Sequence, residues 1–124
     1  MSIDSNLALL RYYAALDRSD AAAALGMVEP DVAFTLTLPG AVTRGRGPDD
    51  LRAYIDNRGT TERRHVPLRA TRTDDVEFVY GAVTESGNVT GHFSATARVT
   101  DAGRIAAYLV VFDPEARVVE SSTA

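Results

Sequence analysis

The residues of this chain that are best suited to moving protons are two histidines and a few carboxylates. Histidine titrates near neutral pH and acts as a general acid or base, particularly beside a carboxylate. His92 and Asp113 become direct cross-strand neighbours if residues 102–103 form a hairpin loop. The same register turns both side chains to the outer face of the sheet, so the pair is either catalytic or an ordinary surface or dimer-interface pair. His65 and Glu77 are the two other acid–base candidates.

Missing residue types exclude several kinds of chemistry. The 124 residues include no cysteine, which excludes disulfides, thiolate nucleophiles and cysteine-bearing zinc or iron–sulfur sites. All 13 basic residues are arginine, so Schiff-base catalysis and a P-loop lysine are excluded as well. The two histidines are not at metal-ligand spacing, and neither a Gly-x-Ser-x-Gly nor a Gly-x-Gly-x-x-Gly motif occurs. We therefore expect neither a metal nor another cofactor.

Length and charge narrow the class of protein further. A chain of 124 residues with 45% hydrophobic and 24% charged residues has the size and composition of one globular domain. Its formal net charge of −4 argues against nucleic acid or an acidic membrane surface as a partner. The first residues show no basic region ahead of an apolar one, and the longest near-apolar run, Ile105–Phe112, is less than half a membrane span. These features predict a soluble, cytoplasmic protein.

The first half of the chain is predicted to be mainly helical. Ser19 is a suitable N-cap for a second helix, which Pro30 should stop. Pro48, followed by two aspartates, is typical of the first turn of a third helix. Apolar periodicity predicts a helix over residues 5–17, and these local signals predict helices over residues 21–28 and 47–57. Alternation predicts a first strand over Val32–Leu38.

Four strands joined by short turns are predicted for the second half. They are Arg64–Thr73, Val76–Glu85, Val89–Thr100 and Arg104–Asp113. A two-residue loop at Ser86-Gly87 would place an apolar set on the face that meets the helices: Val76, Phe78, Tyr80, Ala82, Val89, Gly91, Phe93, Ala95 and Ala97. The opposite, polar face would carry Glu77, Thr90, His92, Ser94, Thr96 and Arg98. Residues 115–124 are predicted to form a disordered tail.

Five short segments link the chain to a known family. They are Arg11–Asp20, Asp31–Phe34, Gly45–Pro48, Gly103–Ile105 and Phe112–Pro114. Their order and spacing over residues 5–114 resemble the NTF2-like superfamily, which includes ketosteroid isomerase and the SnoaL-like polyketide cyclases. The resemblance implies an α+β fold in which three N-terminal helices pack on a curved, mainly antiparallel sheet around an apolar pocket, making a cone. It also implies a homodimer through the outer face of the sheet.

The resemblance also assigns positions to known chemistry, and the sequence fills only one of them. The tyrosine that stabilises an oxyanion falls on Tyr12. The general base of the isomerases falls on Leu36, or on Thr37 in a shifted register, and their second acid falls near Ala95. An aspartate of the limonene epoxide hydrolases falls on Val110. None of these four residues can replace the acid or base, so neither known reaction is expected.

Two functions remain open. The first is a cofactor-independent SnoaL-like protein that binds a small lipophilic or polyketide-like molecule and isomerises, cyclises or hydrates it. Tyr12 would be the oxyanion donor and His65 the proton carrier, and the pocket wall would be Phe34, Tyr54, Tyr80, Phe93, Tyr108 and Phe112. The second is a non-catalytic ligand-binding or dimeric assembly module, which the missing acid and base at Leu36 and Ala95 favour.

Overall fold

The computed structural model describes residues 6–57 and 62–119, which form three helices and six strands. The helices are α1 (Ala8–Asp17), α2 (Ala21–Leu25) and α3 (Gly47–Asn57). The strands are β1 (Val28–Leu38), β2 (Ala41–Arg46), β3 (Arg63–Thr73), β4 (Val76–Glu85), β5 (Asn88–Val99) and β6 (Ile105–Asp113). The predicted α+β class is confirmed, because the helices pack on a curved, mostly antiparallel sheet.

All six strands belong to one sheet in the order β2-β1-β6-β5-β4-β3. Every neighbouring pair is antiparallel except β1 and β6, which are parallel. This pairing joins the first strand of the chain to the last one, so the long meander from β3 to β6 closes onto the N-terminal half. No helix among the described residues is long and apolar enough to cross a membrane.

Local signals in the N-terminal half were partly misinterpreted. α2 ends at Leu25 instead of reaching residue 28, and Val28 already begins β1. The N-cap of α2 is Asp20 and not the predicted Ser19; the carboxylate of Asp20 accepts a hydrogen bond from the amide of Ala23. β2 was not predicted at all, because five of its six residues are exposed and its sequence shows no apolar alternation.

The predicted face of β4 is wrong, and a β-bulge is the reason. The two-residue turn at Ser86-Gly87 does form, and Thr84 pairs with Val89. The register then shifts, so that Val83 pairs with Gly91 and Thr90 is the extra residue. A slip of one residue turns every later side chain of a strand to the other face.

The slip reverses β4 and leaves β5 as expected beyond the bulge, whereas Val89, which precedes the bulge, is 55% exposed and not on the buried face as predicted. Phe93, Ala95 and Ala97 of β5 are buried on the face that meets the helices, as predicted. On β4 the predicted assignment is inverted: Glu77, Val79 and Val83 point inward, and Phe78, Tyr80 and Ala82 point outward. Glu77 therefore belongs to the core and not to the polar face.

Buried Glu77 holds the start of α1. The first helical amides, those of Ala8 and Leu9, donate to its two carboxylate oxygens at 2.9 Å each. The N-cap residue Leu7 supplies no side-chain acceptor, so Glu77 satisfies amides that a capping side chain normally serves. The guanidinium of Arg72 lies 3.8 Å from the same carboxylate. These contacts give Glu77 a structural role in place of the acid–base role considered for it.

Candidate functional site

A cavity of about 310 Å³ lies between α1, α3 and the inner face of the sheet. The sheet contributes mainly apolar side chains, such as Leu36, Phe93, Val110 and Phe112. Polar groups enter from α1 and α3, from the start of β3, from the end of β4 and from the middle of β6. A mainly apolar cavity with a few convergent polar groups is the usual form of a small-molecule site. Its volume is near the lower end of the range for such sites, about 300–1,000 Å³, and suits a compact ligand.

His65, which lines this cavity, forms a hydrogen-bonded pair with Asp17 at the end of α1. Nδ1 of His65 lies 2.7 Å from Oδ1 of Asp17, and the backbone amide of His65 donates to Oδ2 at 2.7 Å. Both side chains are nearly buried, with 11% and 12% of their surface exposed. The two contacts fix the position of the imidazole and favour the tautomer that carries its proton on Nδ1.

Asp17 was not a candidate in the sequence analysis, although one signal points to it. It is the last residue of α1, where the negative end of the helix dipole disfavours a carboxylate. An acid at this position requires a compensating partner, and the structure supplies one from β3, 48 residues further along the chain. Nothing in the local sequence identifies that partner as His65.

Two aromatic rings hold the imidazole of His65 in place. The ring of Tyr13 stacks on it with a centroid separation of 4.3 Å and an angle of 24°. Phe93 meets it edge to face at 5.2 Å and 82°. The imidazole thus has a carboxylate at Nδ1, one aromatic ring stacked on its face and a second aromatic ring packed edge to face against it. Such a setting fixes the geometry that proton transfer requires.

The second polar feature of the cavity is a pair of tyrosine hydroxyls. Tyr13 of α1 and Tyr108 of β6 share a buried hydrogen bond between their hydroxyl oxygens. Burial, followed by the proximity of Tyr13 and then Tyr12, raises the pKa of Tyr108 well above its ordinary value. Tyr108 therefore stays a neutral hydrogen-bond donor. Tyr12 packs edge to face against Tyr108 with a centroid separation of 5.5 Å.

Most of the residues predicted for the pocket line this cavity. They are Tyr12, Tyr54, His65, Phe93, Tyr108 and Phe112. Phe34 does not line it: the ring is buried in the core, and its tip contacts Gly45 so closely that a Cβ there would lie 2.4 Å away. Tyr80 does not line it either, because the bulge in β5 turns it to the outer face of the sheet. The oxygen-bearing residues that sequence reasoning missed in this wall include Tyr13, Asn57 and Glu85.

His92 and Asp113 are cross-strand partners, as predicted, and lie away from the cavity. His92 is buried on the outer side of the sheet, stacked on Tyr80 at 5.8 Å and 11°. Oδ1 of Asp113 accepts the amides of Ala116 and Glu115 at 2.8 Å, and these bonds, with that of Ala116 the larger effect, lower the pKa of Asp113. The carboxylate of Asp113 thus accepts hydrogen bonds from the turn that follows β6.

The C-terminal segment meets the same outer region. The amide of Val118 donates to the hydroxyl of Tyr80 at 2.8 Å. The prediction of a disordered tail concerns residues 115–124, of which 120–124 lie outside the described residues. Among the residues that the structure describes, no group of three or more histidines and acids is placed to hold a metal ion.

The match to a family model decides the identity of the fold. The model of the SnoaL-like domain matches residues 9–118. The chain belongs to the SnoaL-like domain family. A Kribbella flavida protein provisionally named a ketosteroid isomerase is similar in structure to this SnoaL-like protein, with a TM-score of 0.73 and 15% identity. That likeness covers 95% of this chain and 83% of the other.

Two further solved structures support the same fold for this SnoaL-like protein. An NTF2-like protein of unknown function from Burkholderia pseudomallei is 25% identical, with a TM-score of 0.71 over 90% of this chain and 93% of that chain. A protein from Xanthomonas campestris provisionally named a polyketide cyclase is 20% identical, with a TM-score of 0.70 over 86% and 87%. Comparison with curated proteins gave no significant match. A reaction has to be inferred from the cavity itself.

Proposed function

We propose that this SnoaL-like protein is a cofactor-independent acid–base catalyst that acts on a compact lipophilic carbonyl compound. The observation that carries the proposal is the hydrogen bond of Asp17 to His65, whose side chain lines a mainly apolar cavity. Isomerisation and aldol-type cyclisation of a carbonyl compound begin with removal of a proton from the carbon next to the carbonyl group, and hydration requires a base that takes a proton from water. A positioned histidine supplies both kinds of proton transfer.

His65 is the proton carrier in this proposal, and Asp17 is its positioning residue. With Nδ1 engaged by Asp17, proton exchange with the ligand takes place at Nε2, the other ring nitrogen. Neutral His65 takes a proton from the carbon next to the carbonyl group and becomes an imidazolium. The carboxylate of Asp17 stabilises that cation and keeps the ring in orientation. Return of the proton to a different carbon completes an isomerisation.

The Tyr13–Tyr108 hydroxyl pair is the group that receives the carbonyl oxygen. Removing a proton next to a carbonyl places negative charge on its oxygen, and a preorganised donor in a site shielded from water stabilises that charge. If Tyr13 donates to Tyr108, then Tyr108 donates its own proton to the ligand. This assigns to Tyr108 the role that the family resemblance gave to Tyr12, whose ring packs against it.

Exchange of α-hydrogens for deuterium tests the proposal without knowledge of the natural substrate. Thermal unfolding with a panel of one- and two-ring ketones identifies those that bind, because a ligand of the native state raises the midpoint. A bound ketone such as 1-tetralone is then followed by NMR in D2O. We expect His65→Gln to lower the exchange rate by about 10²–10⁴-fold, the usual contribution of a general base.

The second histidine of the chain provides the matched control. His92→Gln changes the same residue type on the outer face and should leave the exchange rate within about twofold, since His92 lies outside the cavity. Asp17→Asn should lower the rate with binding retained, which separates positioning from ligand contact. Equal rates for His65→Gln, His92→Gln and the parent protein would refute the proposed base.

A non-catalytic module is the second candidate, and the apolar cavity wall supports it. Leu36 and Val110 line the cavity where related enzymes carry acids or bases, and Ala95 is buried. On the outer face, Phe78 and Leu109 are 42% and 44% exposed, which suits the homodimer expected from the family. This candidate predicts ligand binding without exchange, and a dimer that Leu109→Arg dissociates in sedimentation experiments.

A further inference from the structure

The wall of the cavity contains an ion pair that the proposed proton transfer does not use. Arg63 begins β3 and Glu85 ends β4, and the two residues are cross-strand partners. Nε and Nη2 of Arg63 each donate to Oε2 of Glu85 at 3.4 Å. Among the described residues that line the cavity, only these two carry a permanent charge. In a mainly apolar wall, such a pair is able to select between ligands.

Strand register places this ion pair next to the proposed base. His65 follows Arg63 by two residues on β3, and its partner Val83 precedes Glu85 by two residues on β4. Residues two apart on a strand point to the same face, and their Cα atoms are about 7 Å from each other. All four side chains line the cavity. The pair is therefore on the inner face of the sheet, which a homodimer through the outer face would leave open.

The proposed oxyanion donor Tyr108 lies on the other side of His65. Its cross-strand partner Ala97 is further from the ion pair along β5 than Gly91, which is the partner of Val83. The polar groups therefore follow one another along the sheet as ion pair, histidine and tyrosine. A ketone that presents its carbonyl oxygen to Tyr108 and the adjacent carbon to His65 has its opposite end toward the ion pair.

The ion pair retains capacity for further hydrogen bonds. A charge-assisted N–H···O bond usually measures about 2.7–2.9 Å, so its two bonds of 3.4 Å are long. Both bonds end on the same oxygen of Glu85, and no other described residue bonds to Oε1 of Glu85 or to Nη1 of Arg63. The two side chains are 25% (Arg63) and 35% (Glu85) exposed, as expected at the mouth of the cavity. A ligand group can therefore bind the guanidinium and the carboxylate together.

We propose that Arg63 and Glu85 select a ketone that carries a hydroxyl group at the end remote from its carbonyl group. A hydroxyl group is both donor and acceptor, so it accepts a hydrogen bond from the guanidinium and donates one to the carboxylate. A group that only accepts satisfies one half of the pair. This inference rests on the proposed function for the choice of a ketone, and it narrows the substrate class to compact hydroxyketones.

Local charge favours a neutral hydroxyl group over a carboxylate as the ligand group. The charges of Arg63 and Glu85 cancel each other, and the carboxylate of Asp17 lies 2.7 Å from Nδ1 of His65. These four side chains together carry one net negative charge while His65 is neutral. A ligand carboxylate would compete with Glu85 for the guanidinium and would be repelled by both acids. A hydroxyl group meets neither obstacle.

Dissociation constants of matched ketones, measured by NMR titration, test the inference. We define the hydroxyl preference as the dissociation constant of 1-tetralone divided by that of 7-hydroxy-1-tetralone. We expect a preference of about tenfold or more, as a hydrogen bond to a charged group gives. It should stay far below the roughly 10⁴–10⁵-fold selectivity of sites whose polar groups are fully buried, because this pair is partly exposed. 7-Methoxy-1-tetralone accepts but cannot donate, and should gain less than about threefold over 1-tetralone.

Variants of the ion pair show which residues recognise the hydroxyl group. Arg63→Met and Glu85→Gln should each reduce the hydroxyl preference to less than about threefold. 7-Carboxy-1-tetralone should bind the parent protein no better than 1-tetralone. Glu85→Gln leaves the guanidinium without its carboxylate, so this variant should bind the 7-carboxy compound about tenfold or more tightly than the parent protein does. A merely structural role of Glu85 would not produce that reversal.

A second ion pair of the chain provides the matched control. Arg104 and Glu29 lie 3.8 Å apart and do not line the cavity. Arg104→Gln and Glu29→Gln remove the same charges and should leave the hydroxyl preference within about twofold. Partly exposed ion pairs contribute little to stability, so all four variants should fold like the parent protein, which circular dichroism checks.

Several outcomes would overturn the inference. They are equal affinity of the parent protein for 1-tetralone and its 7-hydroxy derivative, no binding of either at millimolar concentration, an unchanged hydroxyl preference in Arg63→Met, and tighter binding of the 7-carboxy than of the 7-hydroxy compound by the parent. Binding and deuterium exchange separate this inference from the proposed function. Slow exchange in His65→Gln without a hydroxyl preference would reject only the role of the ion pair. A hydroxyl preference with equal exchange rates in His65→Gln and the parent would reject only the proposed base.

Discussion

Replacement of Glu77 by glutamine isolates the contact that fixes the start of α1. The carboxylate is 1% exposed and accepts the amides of Ala8 and Leu9 at 2.9 Å. Glutamine keeps the volume and one acceptor oxygen, but it places an NH2 group against the second amide. The variant therefore loses one charge-assisted hydrogen bond, leaves a buried donor unsatisfied, and loses the favourable interaction of a negative charge with the helix N-terminus.

The size of the effect follows from these losses. A hydrogen bond to a charged group contributes about 1.5–3 kcal/mol, and the unsatisfied amide adds to the loss. We expect the free energy of unfolding to fall by about 2–4 kcal/mol, a large part of the 5–15 kcal/mol typical of small domains. For a chain of this length, about 4 °C of melting temperature corresponds to each kcal/mol. The melting temperature should therefore fall by roughly 8–16 °C.

Urea unfolding and amide hydrogen exchange measure this prediction. In Glu77→Gln the amides of Ala8 and Leu9 should exchange faster than those later in α1. Arg72→Gln removes only the half-exposed partner and should cost less than about 1 kcal/mol. The exposed Glu115→Gln controls for the loss of one negative charge, with a change within about 0.5 kcal/mol. If Glu77→Gln were no more destabilising than Glu115→Gln, the capping role of Glu77 would be refuted.

Other variants test packing and pH dependence. In Gly81→Ala the new Cβ would lie 2.5 Å from a β3 carbonyl oxygen, so the free energy of unfolding measured in urea should fall by about 2 kcal/mol or more. In Gly26→Ala the nearest atoms lie at an ordinary 3.5 Å, so the free energy of unfolding should stay the same or rise slightly. Burial raises the pKa of Tyr108, so the native state holds this proton more tightly than the unfolded state; stability should fall as pH rises above about 10, and less steeply in Tyr108→Phe. The amide of Ala116 is the main cause of the lowered pKa of Asp113, so the unfolded state takes up this proton more readily than the native state. Stability should therefore fall as pH drops below about 4, and less steeply in Asp113→Asn. If a variant showed the same pH dependence of stability as the parent protein, the role given to its tyrosine or aspartate would be contradicted.

Local patterns were sufficient for the helices and most strands. Apolar periodicity predicted α1, Pro48 with its two following aspartates predicted α3, and alternation with turn residues predicted five of the six strands. Only β2, with its exposed and irregular sequence, escaped this reasoning. The order of these elements, with the short segments that resemble the NTF2-like superfamily, was enough to predict the fold class. The same order placed Tyr12, His65 and Tyr108 near one cavity.

The faces of β4 could not be predicted from the strand pattern. Both alternating sets on β4 contain apolar residues, so hydrophobic alternation alone does not choose between them. The choice depends on one extra residue, Thr90, which shifts the register beyond a turn that was predicted correctly. This shift buries Glu77 under α1 and turns Tyr80 outward. A bulge is selected by packing across the whole sheet, which no short segment contains.

What the sequence by itself determined is therefore the set of elements, the fold class, and which residue types are able to move protons. Tertiary structure alone decided which of those residues meet. Asp17 and His65 are 48 residues apart, and Tyr13 and Tyr108 are 95 apart. Local propensity acts over a few residues, whereas these contacts depend on strand order and register, which are fixed only when the sheet closes around its helices.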